Sequence, residues 1–111
     1  MPNVSYSSWL PVALEALDFE QVTVDATSGG VGLTSTKYAP VGTPPMNQVR
    51  ISVDTASIKI TEDGTAPTAS LGDTFDAGDI FMVTGVNSLR KLRMIRTSGT
   101  SAVLNVTYYR Q

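Results

Sequence analysis

The chain has 111 residues, a formal net charge of −2 and 41% hydrophobic residues. This length fits one domain, because two separate cores would each be too small to be stable. The composition is that of a globular protein and argues against general disorder. There is no cysteine and no histidine, which excludes disulfides and thiolate metal sites and removes the commonest general base. We therefore expect no cofactor.

We expect no targeting signal in the first residues of the sequence. Residues 1–5 lack the charged and apolar regions of a signal peptide, and no run is long enough to cross a bilayer. We expect a protein that is made and used without export by the signal-peptide route, and that has no membrane partner.

Charge is distributed unevenly along the chain. Residues 1–36 contain four acids and no Lys or Arg, whereas residues 80–111 contain five basic residues and no acid. This polarity either steers docking onto complementary protein surfaces or is cancelled inside the fold, if the two ends lie side by side.

The first twenty residues are unusually apolar. A short helix capped by Ser8, with Leu14 and Leu17 on one face, fits this segment, and so does a strand or an arm that docks on a neighbour. We predict residues 1–20 as an N-terminal arm or edge segment and residues 21–111 as the main domain. The large apolar residues of the segment are Val4, Tyr6, Trp9, Leu10, Val12, Leu14, Leu17 and Phe19.

Two-residue periodicity dominates from residue 21 onward. Apolar and polar residues alternate over 49–53 and 58–61, which predicts antiparallel strands with one wet face. Further strands are predicted over 21–25, 80–83, 89–96 and 102–108, with a loop at the three prolines of 39–45. Ala102, Leu104, Val106 and Tyr108 share one face of the last strand.

This pattern predicts an all-β protein. Val, Ile and Thr account for 31 of the 111 residues, and these side chains suit a pleated sheet. Seven or eight short strands separated by Gly, Pro and Asp turns predict an antiparallel β-sandwich, jelly-roll-like, with the N-terminal arm described above.

No catalytic motif is present, and we predict that the chain is not an enzyme. Its densest acidic group would suit glycoside hydrolysis or a calcium ion, but these acids sit in predicted turns, where Asp makes local hydrogen bonds. Neither a Gly-x-Ser-x-Gly elbow nor a phosphate-binding loop occurs. The acids are Glu62, Asp63, Asp73, Asp76 and Asp79.

Nucleic-acid binding and carbohydrate binding are the two binding functions that compete with protein adhesion. The basic cluster Arg90, Lys91, Arg93 and Arg96 would attract phosphates, but the sequence pI is about 4.8 and no aromatic residue interleaves with it. We therefore favour a protein-facing strand and expect no nucleic acid. Carbohydrate binding is the stronger rival, through Trp9 and the tyrosines, of which Tyr108 and Tyr109 point to opposite faces.

Much of the chain resembles small structural proteins of tailed phages. The resemblance rests on the order of residues 31–34 (VGLT), 49–56 (VRISVDTA), 63–68 (DGTAPT), 77–79 (AGD), 95–96 (IR) and 104–109 (LNVTYY). Length and the apolar N-terminal segment are most similar to the capsid decoration (cement or staple) proteins of short-tailed phages. The resemblance implies a jelly-roll-like sandwich on the outer capsid surface of a virion, assembled in the host cytoplasm.

The resemblance also implies the partners. They are the phage major capsid protein, whose neighbouring subunits the chain would bridge, and further copies of itself as a homodimer or other homo-oligomer. No small-molecule substrate is expected. The alternative function is a carbohydrate-binding module of a phage tail or baseplate. The candidate partner-binding residues are Val4, Tyr6, Trp9, Leu10, Arg90, Lys91, Arg93, Arg96 and Tyr109.

Overall fold

The fold is built from two antiparallel β-sheets, as described for residues 14–111 by a computed structural model. The strands are β1 (Glu15–Val24), β2 (Gln48–Asp54), β3 (Ile58–Thr61), β4 (Asp73–Phe75), β5 (Ile80–Thr84), β6 (Arg93–Arg96) and β7 (Ala102–Arg110). Two short helices interrupt them, α1 (Ser35–Tyr38) and α2 (Val86–Lys91). None of the helices within residues 14–111 has the length and apolar character needed to span a bilayer.

The two sheets form a sandwich. Sheet A has the strand order β1-β7-β2-β5, and sheet B has the order β4-β3-β6. On the side of β6 away from β3, Val31 exchanges backbone hydrogen bonds with Met94. The predicted all-β antiparallel sandwich is therefore confirmed. The strand order is compatible with a jelly roll, which stays a prediction, as does the N-terminal arm.

The core lies between the sheets and is formed by alternate residues of each strand. The predicted inward face of the last strand is confirmed, since Ala102, Leu104, Val106 and Tyr108 are all buried. β2 and β3 contribute their own inward residues in the same way, and within the described residues every buried residue is hydrophobic. At roughly 25 cal/mol per Å² of apolar surface, this burial is the main stabilising contribution.

The borders of the two layers are also joined. At one border the rings of Phe75 in β4 and Phe81 in β5 stack, with centroids 4.2 Å apart and planes 19° from parallel. At the other border the backbone N–H of Arg96 donates to the carbonyl of Asp25, just after β1. These contacts fix sheet A over sheet B along both sides.

One predicted strand is wrong over half its length. Residues 89–96 were expected to form one strand, but residues 86–91 form α2 and only Arg93–Arg96 is β6. The reason is the spacing of Leu89 and Leu92, three apart, which brings both side chains into the core from one helical turn. The Arg93 guanidinium then donates to the carbonyls of Arg90 and Leu92 at the end of the helix.

The first described strand crosses the predicted domain boundary. β1 begins at Glu15 and pairs with β7 through Val24, with a bulge between Ala16 and Asp18. Residues 15–20 thus lie in an edge strand of sheet A, and the alternative of a helix at Leu17 is wrong. The rest of the predicted segment, residues 1–13, lies outside the described residues.

A polar cluster anchors β1 at this edge. The buried Tyr108 hydroxyl donates to the Glu20 carboxylate, and the hydroxyl of Thr34 donates to the same carboxylate at 2.6 Å. Burial, followed by the hydrogen bond to Glu20 and its negative charge, raises the pKa of Tyr108 above its ordinary value of 10.0. The neutral phenol is therefore part of the folded state.

We expect alkaline conditions to destabilise the fold through Tyr108. A folded-state pKa above the unfolded value means that the contribution is fully present below pH 10.0 and falls as the pH rises beyond it. Urea unfolding of wild type and Tyr108→Phe between pH 8 and pH 11 measures this. The variant should lose about 1.5–3 kcal/mol at pH 8 and show a shallower decline above pH 10, whereas Tyr109→Phe should follow wild type. Parallel curves for wild type and Tyr108→Phe would contradict the assignment.

The turn between β2 and β3 holds local strain. Thr55 has φ 78°, and the N–H of Ala56 donates to the carbonyl of Asp54, which closes a γ-turn. A β-branched residue rarely adopts this backbone conformation, which costs about 1–3 kcal/mol.

Replacing Thr55 by glycine should therefore leave the free energy of unfolding unchanged or raise it by about 1 kcal/mol, because released strain offsets the entropy cost of glycine. The matched control is Thr107→Gly in β7, where glycine should destabilise an extended strand. Denaturant unfolding of both variants measures the difference. A loss of stability at residue 55 as large as that at residue 107 would show that the turn is unstrained.

Candidate protein-binding face

Most of the exposed large hydrophobic residues of the described chain lie in the two border strands of sheet A. Leu17 and Phe19 in β1 are 43% and 51% exposed, and Ile80 and Met82 in β5 are 60% and 53% exposed. These are four of the six exposed large hydrophobic residues. Two of them lie in β1 and two in β5, the opposite borders of sheet A, so a partner that lies across the sheet would contact both apolar pairs. We call the face formed by Leu17, Phe19, Arg50, Ile80, Met82 and Tyr109 the outer face of sheet A.

Strand register places these residues in rows across the sheet. One row runs Phe19, Thr107, Arg50 and Met82 through β1, β7, β2 and β5. The next row runs Gln21, Asn105, Ser52 and Ile80. Each row ends in an apolar side chain on at least one border and is polar in the middle.

The polar middle is held by hydrogen bonds between neighbouring strands. The Gln21 amide donates to Asn105 Oδ1 at 2.9 Å, and Asn105 Nδ2 donates to Asp54 Oδ2 at 3.0 Å. These side chains are therefore oriented before a partner binds, which lowers the entropy cost of binding. Within residues 14–111, Arg50 forms no ion pair.

Tyr109 is the predicted partner-binding residue that the structure places on this face. It lies between Ala16 of β1 and Gln48 of β2, on the opposite side of β7 from buried Tyr108. The prediction that the two tyrosines point to opposite faces is confirmed, with Tyr108 buried and Tyr109 half-buried.

The four predicted basic residues lie elsewhere and do not form one stripe. Arg90 and Lys91 belong to α2, whereas Arg93 and Arg96 belong to β6 of sheet B. The Arg90 guanidinium donates to Asn87 at 3.0 Å, and that of Arg96 donates to Ser101 at 3.0 Å. The structure thus separates this set from Tyr109. The other predicted residues, Val4, Tyr6, Trp9 and Leu10, lie outside the described residues.

Two of the five acids make the turn hydrogen bonds that their sequence context predicts, whereas Asp73 begins β4 and does not lie in a turn. Asp63 accepts from the N–H of Thr65 at 3.0 Å, and Asp79 accepts from the N–H of Asp76 at 2.7 Å. Hydrogen bonds from Thr65 hold the pKa of Asp63 below its usual range, which makes this carboxyl a poor proton donor.

A shallow cavity of about 310 Å³ lies beside β3, lined by Leu71, Glu62, Asp63 and Asp73 among others. Within residues 14–111, no group of three or more acids is placed to hold a metal ion.

Ile80 and Met82 were missed as candidate binding residues. The run Ile80–Val83 is apolar at every position and is predicted as one short strand, in which Phe81 and Val83 face inward while Ile80 and Met82 face out. The available signal was that this run is apolar throughout, whereas the other strands alternate. A strand that is apolar on both faces needs a second surface to cover its outer face. Leu17 and Phe19 carried a similar signal within the N-terminal segment.

Comparisons of the chain with protein-family models, with curated proteins and with solved structures found no match.

Substitution on the outer face should leave stability unchanged. Met82→Ser should alter the free energy of unfolding by less than about 0.5 kcal/mol, because the side chain is exposed and makes no core contact. Ile51→Ala, on the neighbouring strand but facing inward, should cost about 2–5 kcal/mol. Urea unfolding of the two variants measures both values. A loss above 1 kcal/mol for Met82→Ser would mean that this face is covered in the folded chain.

Proposed function

We propose that this chain is a virion structural protein that decorates an assembled capsid shell and staples neighbouring major capsid subunits, with the outer face of sheet A as its contact surface. The supporting observation is the concentration of exposed apolar side chains on one side of a rigid sandwich. Pairing of copies on the shell is part of the same proposal. The chain acts by adhesion and carries no bond-making site.

The energetics suit a protein that is present in many copies. Fully burying an apolar side chain of this size contributes about 1.5–3 kcal/mol before ordering costs. Four such residues give modest affinity for a single copy, but repeated contacts on one shell raise the overall avidity. Arg50 lies in the middle of the row that runs from Phe19 to Met82 and carries a positive charge. We expect an acidic group on the facing shell surface to pair with it.

Binding to shells assembled without this protein tests the proposal directly. Wild type, sedimented with shells of the virus that encodes it, should bind at a fixed number of copies per shell. Phe19→Ser combined with Met82→Ser should weaken binding at least about tenfold, since each substitution removes apolar surface from the contact. Leu71→Ser is the matched control, because Leu71 is also 51% exposed but lies beside the cavity near β3.

Failure of wild type to bind shells would contradict the decoration function. Equal loss with Leu71→Ser would contradict the choice of face. The carbohydrate alternative has its own readout, since retention of the chain on host polysaccharide, abolished by Tyr109→Ala, would favour a tail or baseplate module.

A further inference from the structure

Among the residues that the structure describes, the border of sheet A formed by β1 is an open edge. β1 is ten residues long, and within residues 14–111 no strand pairs with its outer side. The remaining sheet borders are shorter or covered. β5 has five residues, β4 has three, and Val31 bonds to the free side of β6.

The hydrogen-bonding groups that face this edge can be identified. The Phe19 N–H donates at 2.8 Å to the side chain of its own neighbour, Asp18, and so does not pair with β7. Because pairing alternates along a strand, the N–H and C=O groups of Gln21 and Thr23 point the same way as those of Phe19. By the same alternation, the main chain of Val22 and Val24 points toward β7. Three consecutive positions are therefore directed outward, of which Phe19 has its N–H held by Asp18 and offers its C=O.

The usual protection of an edge strand is weak here. Natural edge strands are commonly blunted by proline, lysine or a bulge. β1 contains neither proline nor lysine, and its bulge lies between Ala16 and Asp18, before the three open positions. From Phe19 to Val24 the register with β7 is regular. The sequence FEQVTV of this stretch also favours extended backbone.

Charge indicates what fits the edge. Glu15, Asp18 and Glu20 lie in β1 and Asp25 follows it, and among the described residues only Asp18 of this set forms an ion pair, with Lys37 at 3.0 Å. A second copy of β1 would align two acidic strands, which opposes pairing. A strand bearing lysine or arginine is attracted instead.

We propose that the outer edge of β1 binds an extended, basic segment of a partner protein as an added strand, through the main chain of Phe19, Gln21 and Thr23. Such strand addition draws affinity from backbone hydrogen bonds and specificity from alternate side chains. An apolar residue of the added strand would lie beside exposed Phe19. The inference rests on the proposed function in one respect, namely that the basic segment belongs to a shell subunit.

A synthetic nine-residue peptide that alternates lysine with valine and threonine is a suitable probe. Fluorescence anisotropy with the full chain should give saturable binding, and amide NMR shifts should map to β1. The same peptide with N-methyl groups on its pairing edge keeps its charge but cannot donate hydrogen bonds, and it should bind at least about tenfold more weakly. A glutamate version of the peptide should not bind.

A matched pair of protein variants tests the same edge. Thr23→Pro removes an outward donor while leaving the ladder to β7 intact, which edge strands tolerate. Thr23→Pro should weaken binding of the basic peptide about tenfold, whereas Thr23→Val should leave the binding affinity unchanged. The N-methyl comparison uses unaltered protein, so it stands even if the proline variant folds poorly.

Any of three results would overturn this inference. They are equal binding of the N-methylated peptide, NMR shifts that map away from β1, and self-association that excludes the peptide. Peptide binding without shell binding would overturn the proposed function alone. Shell binding without peptide binding would overturn this inference alone.

Discussion

The structure depends on the central position of β7. This strand pairs with β1 on one side and with β2 on the other, so its main-chain groups are bonded on both sides along most of its length. Its inward residues, from Ala102 to Tyr108, are fully buried. Hydrogen bonds to β1 and β2 fix the strand on its two sides, and burial fixes its inward face. The other strands of sheet A are therefore placed in register relative to β7.

That register decides which residues are left at the surface. Because β7 turns Leu104 and Val106 inward, it must turn Asn105 and Thr107 outward, and the neighbouring strands follow. Phe19 and Met82 are then brought to the two borders of one row although they are 63 positions apart in the chain. The contact surface that we propose is a consequence of how the core is formed.

The charged residues of the described chain serve mainly local structure. Asp63 and Asp79 close turns, Arg93 satisfies carbonyls at the end of α2, and Glu20 receives the buried Tyr108 hydroxyl. Groups used in this way are poorly available for chemistry, because their hydrogen-bonding capacity is already filled. Within residues 14–111, the apolar side chains and Arg50 on sheet A, together with the unpaired edge of β1, are the features through which we propose that this molecule interacts.

The sequence by itself determined the class of fold and the position of most strands, because an alternating pattern such as Val49, Ile51 and Val53 has one structural solution when one face is buried. It also determined that Tyr108 and Tyr109 face opposite ways. Only the tertiary structure decided that residues 86–91 are helical, since Leu89 and Leu92 fit a strand or a helical turn until the core around them is known. The binding face and the open edge were likewise decided by strand order, which depends on contacts between residues far apart in sequence that no local pattern records.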